Sequence, residues 1–115
     1  MSTPSLAVRL LVEPARISQN SELNIRGDVR NTGDAVVDTR IYASVLLVDG
    51  KPSENWPLAI GNGIGDERAS ALPPGERIEF HRTLPASSVL RQRGLHEVVL
   101  IVEGVCSPPA TVQWQ

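Results

Sequence analysis

Three groups of residues in this 115-residue chain are of types that do chemistry: His81, His96 and Cys106, the tripeptide Arg26-Gly27-Asp28, and the glycine cluster Gly61-Asn62-Gly63-Ile64-Gly65. No two of the imidazole and thiol residues stand at the short spacings that hold zinc, and the alternation around them turns His81 outward and His96 inward, on different sheets. A cysteine–histidine nucleophile would need Cys106 beside an imidazole. Its place just before Ser107-Pro108-Pro109 suggests instead a half-buried free thiol in a loop. The integrin-type tripeptide acts from a loop tip, whereas Arg26-Gly27-Asp28 falls mid-strand, with Arg26 and Asp28 facing solvent and Gly27 facing inward or forming a bulge. A phosphate loop needs a helix N-terminus after its glycines. Here Asp66 and Glu67 follow and would repel the anion. The remaining acids are dispersed singly, so nothing selects a general acid–base pair. The expectation is a protein with no catalytic, cofactor-binding or metal-binding residue, and so not an enzyme.

Composition narrows the partners. Thirteen acids against eleven bases give a formal charge of -2, and no run of like charge exceeds two residues. Neither a nucleic-acid footprint nor a polybasic membrane anchor is expected. With four aromatic residues, Tyr42, Trp56, Phe80 and Trp114, there is no stacking platform for sugars or single strands. The apolar stretch at residues 6–12 is short, is interrupted by Arg9 and lacks a basic lead, so it reads as neither signal peptide nor membrane span. One cysteine excludes an intrachain disulfide and fits a reducing compartment. A cytoplasmic location is expected, unless the chain is an excised domain of a larger exported protein.

The elements that must position these residues are strands. Twelve leucines, thirteen valines and seven isoleucines supply a core, and their period is two almost throughout. Strands are expected at residues 6–12, 22–30, 36–48, 55–60, 77–84, 95–103 and 110–114. Asp49-Gly50 closes a tight hairpin, Pro57 marks residues 55–60 as an edge strand, and Pro74-Gly75 fits a type II turn. Residues 61–75 form a long loop, and residues 85–94 allow at most two helical turns. About seven strands without a long helix imply an all-β, immunoglobulin- or fibronectin-III-like antiparallel sandwich of two sheets, one domain over residues 1–115.

The strings LNIRGDVRNTGDAVVDTRIYASVLLVDGK, LPPGERIEF and GLHEVVLIVEG extend that reading. They resemble bacterial immunoglobulin-like modules with the theme strand, Asn-x-Gly, strand, Leu-x-Pro-Gly-Glu, strand, Gly-x-Tyr-x-Val-x-Val. The theme is shared by bacterial cell-adhesion-related domains, by the intracellular proteinase inhibitor family of bacilli, and loosely by ApaG-type domains. The resemblance implies a sandwich whose loops gather at its poles, and a role in binding protein or inhibiting a protease. One departure is that His96 stands where the theme has tyrosine. In such folds that tyrosine anchors a corner through its hydroxyl, so either a ring nitrogen of His96 replaces it or the corner is absent.

One surface exceeds what a lone sandwich requires. Alternation puts Val99 and Ile101 on the outer side of the strand at 95–103. With Arg40, Tyr42 and Ser44 outward on the strand at 36–48, Leu46 and Val48 face the same way. Leu46, Val48, Val99 and Ile101 would then form an apolar patch facing water, which marks a contact with a protein partner, a neighbouring domain or a homodimer mate. Cover by residues 85–94 or by the long loop is the rival explanation. The expected function is a noncatalytic protein-interaction or accessory module. The alternative is a protease inhibitor of the intracellular proteinase inhibitor type, acting through loops at one pole.

Overall fold

The computed structural model describes residues 5–18, 21–61 and 63–115. The first four residues of the amino-terminal stretch and Asn62 of the glycine cluster lie outside the described residues. Among the described residues nine strands follow in chain order: β1 (Leu6–Glu13), β2 (Arg16–Ile17), β3 (Glu22–Asn31), β4 (Val45–Val48), β5 (Lys51–Pro52), β6 (Arg77–Pro85), β7 (Gly94–Val102), β8 (Val105–Cys106) and β9 (Ala110–Trp114). They form two sheets. β1, β3 and β6 make a three-stranded antiparallel sheet in that order, and the six-stranded sheet runs β2-β9-β7-β4-β5 with β8 also paired to β7. The architecture is the two-sheet β-sandwich that the alternation predicts, with β2 running parallel to β9. No described helix is long and apolar enough to cross a membrane.

The longer strands bury alternate residues, and the buried sets face each other. Leu23, Ile25 and Val29 of β3 and Ile78 and Phe80 of β6 meet Leu46 of β4 and Val98, Leu100 and Val102 of β7 in one apolar cluster. Trp56 joins the two layers: it is fully buried, its ring lies 5.9 Å from that of Phe80, and its Nε1–H donates to Ser44 Oγ just before β4 at 3.0 Å. With no disulfide to tie the sheets, this aliphatic and aromatic packing supplies the cohesion.

Turn chemistry sets the register. Asp49 and Gly50 both hold positive φ, 53° and 82°, so Val48 pairs with Lys51 across a two-residue hairpin. Gly75, at φ 81°, occupies the turn position that Pro74 prepares, and Glu76 N–H donates to Pro73 O at 3.2 Å. A second two-residue hairpin, Glu103-Gly104, also has both φ angles positive. It creates β8 within what the sequence suggested was a loop.

Two expected strands differ. Residues 36–48 are not one strand: Arg40 turns the chain left-handed at φ 47°, a 3-10 turn covers Ile41–Ala43, and only β4 is extended. Before the turn, an isolated bridge pairs Val37 with Leu72, and Thr39 donates through both backbone and hydroxyl to Ala69 O. Residues 55–60 hold a short helix, α1 (Trp56–Ile60), instead of an edge strand. Pro57 stands in its first turn, where a missing N–H costs nothing. A second single turn of helix, α2 (Ala86–Val89), lies within residues 85–94. The long loop is partly ordered by a 3-10 turn at Glu67–Ser70, whose leading residue Asp66 accepts from Arg68 N–H.

Candidate functional site

The outer face of the six-stranded sheet is aliphatic, but its membership differs from the expectation. Leu46 pairs with Leu100 and Val48 with Val98. Leu46 is fully buried, and Val48 packs against the core. Both therefore point inward, because the 3-10 turn at Ile41–Ala43 breaks the alternation that would have carried outward parity from Arg40 to Leu46. Val45 and Leu47 take their place. Val45 pairs with Ile101 and Leu47 with Val99, and all four are half-buried. Leu95, at 68% exposed, lies further along the same side of β7. The segments proposed as cover pack elsewhere: Ala86, Val89 and Leu90 belong to the core, and Ile64 leans on it.

Cys106 also departs from expectation. It is exposed rather than half-buried, because its hairpin pairs it with Ile101 at the edge of this same face.

His96 lies on the inner side of β7 and is nearly fully buried. Its Nε2–H donates to Gln92 O, four residues upstream, at 2.6 Å, so the histidine ties the corner that tyrosine ties in the theme. Its Nδ1 lies 2.6 Å from Asp49 Oδ2, while Asp49 Oδ1 accepts from Glu97 N–H at 2.9 Å. Both ring nitrogens thus face acceptors, Nδ1 the Asp49 carboxylate and Nε2 the Gln92 carbonyl. Asp49 has its carboxyl held below the usual aspartate range, first by the Glu97 N–H and then by His96. The Asp–His pair has the outline of a catalytic base, but Nε2 is committed to a carbonyl and has no substrate-facing lone pair.

The outer face of the three-stranded sheet carries charge of both signs, with the acids Glu13, Glu22, Asp28 and Glu79 set among its arginines. Arg9, Arg26, Arg30 and Arg77 are all exposed on it. In register, Arg9 opposes Asp28, while Arg26 and Arg30 sit diagonally on either side. Arg77 reaches Asp28 at 3.4 Å and Glu79 at 3.2 Å. Arg9, Arg26 and Arg30 have no ion pair among the described residues. Between the rows run two open troughs, one of about 670 Å³ beside Leu11, Arg26 and His81, the other of about 430 Å³ beside Arg9, Arg30 and Arg68. Arg26-Gly27-Asp28 is thus embedded mid-sheet, paired on both sides. Gly27 faces inward beneath Phe80, whose Cζ stands 2.1 Å from where a Cβ would be.

His81 faces outward, as its alternation implies, and shares Asn24 Oδ1 with the Thr83 hydroxyl. The described residues include no group of three histidine, cysteine or acidic side chains placed to hold a metal ion. Of the glycine cluster, Gly63 serves as an anchor: its carbonyl, with that of Ala59, accepts from Arg82 at 2.8 and 2.9 Å.

Solved structures share this arrangement of sheets. The cell-adhesion-related CARDB domain of a Pyrococcus furiosus protein, determined in solution, superposes with a TM-score of 0.66 at 16% identity over 99% of this chain and 97% of that one. The fold is theirs. A crystal structure of the same Pyrococcus domain in complex with di-metal ions gives 0.64 at 15% identity, covering 96% and 93% of the two chains. An alkylpurine DNA glycosylase of Pseudomonas fluorescens bound to DNA containing an abasic-site analogue gives 0.61 at 15% identity, with only 30% of its own length matched. No protein-family model matches the chain, nor does any curated protein. These likenesses agree with the cell-adhesion-related part of the resemblance seen in the sequence and give no support to its proteinase-inhibitor part.

Proposed function

We propose that this domain is a noncatalytic interaction module that binds protein through the outer face of its six-stranded sheet. The observation that carries the reading is the quartet Val45, Leu47, Val99 and Ile101: four aliphatic side chains adjacent on two paired strands, turned away from the core. A sandwich needs only its inner faces covered, and a contiguous apolar outer patch marks a contact. The likeness to cell-adhesion-related domains favours a binding role. The committed nitrogens of His96 count against a catalytic one. The free, exposed thiol suits a reducing compartment such as the cytoplasm.

The test is comparative capture. Wild type and a Leu47→Glu/Val99→Glu variant, each immobilised, are exposed to the same lysate of the source organism. A protein retained by the wild type and lost by the folded variant supports the reading. Identical retention by both, or none by either, overturns it.

A further inference from the structure

One long strand of the sandwich ends a sheet with its backbone uncovered. The six-stranded sheet ends in the two-residue strands β2 and β5, which offer little to pair with. The three-stranded sheet ends in β1 and β6. Thr32 N–H donates to Ser5 O and Asn31 N–H to Glu76 O, so the registers set which residues of each end strand bond to β3 and which turn their N–H and C=O away from it. On β1 the residues turned away are Leu6, Val8, Leu10 and Val12, and of these Leu6, Val8 and Val12 are buried. On β6 they are Arg77, Glu79, His81 and Thr83, all exposed. Among the described residues the hydrogen bond to these groups comes from Arg82, whose Nη1 donates to His81 O at 2.9 Å. The same guanidinium holds Ala59 O, so α1 stands beside this edge. Leu58 of α1, at 84% exposed, is the most open large apolar side chain among the described residues.

We propose that this edge pairs with the same edge of a second copy, β6 against β6, antiparallel about a two-fold axis, so that two three-stranded sheets continue as one. This goes beyond the reading above and uses a different surface. Arg82 closes the edge at His81 O, as inward-leaning charges do on end strands. The N–H and C=O of Arg77 and Glu79 stay open. A two-fold register with Arg77 of each copy opposite Glu79 of the other satisfies all of these groups with one another. It also sets unlike charges opposite each other twice and brings the two Ile78 side chains together on the inner side. Arg77 already touches its own Glu79 and Asp28, so the contact extends an alternating network and strands no charge. The other two-fold registers oppose Glu79 to Glu79, oppose His81 to His81, or need the carbonyl that Arg82 holds. A strand of another protein could meet the backbone, but the second copy is favoured because the open stretch, read in reverse, is its own complement.

Size sets the strength. About four main-chain hydrogen bonds form, each of modest net worth in water. The strip between two short stretches of strand, with Leu58 beside it, is far smaller than the roughly 800 Å² that each partner buries in a standard stable complex. Association is therefore weak and is expected at roughly millimolar chain concentration. Because the contact is isologous, it closes at two copies.

The experiment uses the whole chain. Sedimentation at about 1 mM counts the copies, amide hydrogen exchange read by NMR locates the contact, and circular dichroism checks folding. Wild type should form a dimer. Exchange at the Arg77 and Glu79 N–H groups should slow as concentration rises, while that of Leu10, on the edge of β1, should not change. Glu79→Pro removes an outward N–H and none of the bonds to β3, and should weaken the dimer at least about tenfold. Arg77→Glu and Glu79→Arg each oppose like charges when alone and should weaken it as much. Mixed together, these two variants should pair with each other about as well as the wild type does with itself, since each supplies the charge the other lacks. Should a variant misfold, the wild-type exchange data still decide. The pairing is overturned if the wild type stays monomeric, if its dimer leaves the Arg77 and Glu79 amides unprotected, if folded Glu79→Pro associates as well as the wild type, or if the charge-reversed mixture pairs no better than its parts.

Discussion

Asn31 is the residue through which the two turn motifs of this sequence act on each other. Its Nδ2 donates to Ala35 O at 2.7 Å and to Leu72 O at 2.8 Å, and its Oδ1 accepts from Gly33 N–H at 2.9 Å. Its backbone exchanges hydrogen bonds with Gly75 and Glu76. Asn-x-Gly and Leu-x-Pro-Gly-Glu, which read as separate turns in the sequence, are one buried polar cluster. Asn31→Ala would leave two carbonyls and an N–H without their side-chain partner and should cost about 1–3 kcal/mol in urea unfolding. A change below the error of the measurement would mean that water replaces the amide. Gly27 gives a sharper case, since its missing Cβ is occupied by the Phe80 ring. Gly27→Ala should destabilise by about 1–3 kcal/mol, and Phe80→Leu in the same chain should make the added methyl cheaper. Additive losses would show that the ring is not what excludes it.

At the scale of elements, Arg82 and Asp49 each hold one segment to another. Arg82 leans inward from β6 and gives its guanidinium hydrogens to Ala59 O, His81 O and Gly63 O, with no acid among these partners. It closes the C-terminal end of α1 and pins the start of the long loop. Arg82→Ala should speed proteolysis between residues 61 and 66 with a global loss of only about 1 kcal/mol. Unchanged cleavage would mean that the loop is held by Ile64 instead. Asp49 joins the β4–β5 turn to β7. Because its carboxyl is depressed in the folded state, its contribution is complete above the usual aspartate range and is lost as pH falls through the lowered value. Wild type should therefore lose stability on acidification below about pH 4 more steeply than Asp49→Asn, as followed by thermal melts. Parallel curves would refute this.

These elements also show what the sequence could and could not reveal. β1, β3 and β6 were legible because each alternates between one wet and one dry face, and β7 because it is a continuous run of apolar, largely β-branched residues. The segment before β4 was not, because β-branched residues signal burial without specifying extension. The positive φ at Arg40 leaves no residue-type signature of the kind glycine leaves. Pro57 was ambiguous by nature, since edge strands and first helical turns both tolerate a missing N–H. His96 was read with the right face, and of its two open readings the structure has the ring-nitrogen bond, while its second partner, Asp49, lies 47 residues away and depends on the hairpin register.

For the whole molecule, the inward rows were visible in the sequence, but the outward patch was half right: Val99 and Ile101 belong to it, while Leu46 and Val48 belong to the core. The error came from carrying parity through a turn, and its consequence reaches to folding. Leu46 now packs with Leu100 and Val98 against residues of the opposite sheet, and Trp56 bridges the layers through Phe80 on one side and Ser44 on the other. No covalent tie links the sheets, so neither has a dry face without the other. The domain should therefore unfold as one unit. Tryptophan fluorescence, from Trp56 in the core and Trp114 packed against it, and far-ultraviolet circular dichroism, reporting both sheets, should give the same urea midpoint. Leu46→Ala should lower that midpoint by the equivalent of about 2–5 kcal/mol with the two signals still coincident. A Leu46→Ala effect within about 0.5 kcal/mol, the range of surface substitutions, would return Leu46 to the outer face. Separated midpoints in the wild type would show that the two sheets are not one cooperative core.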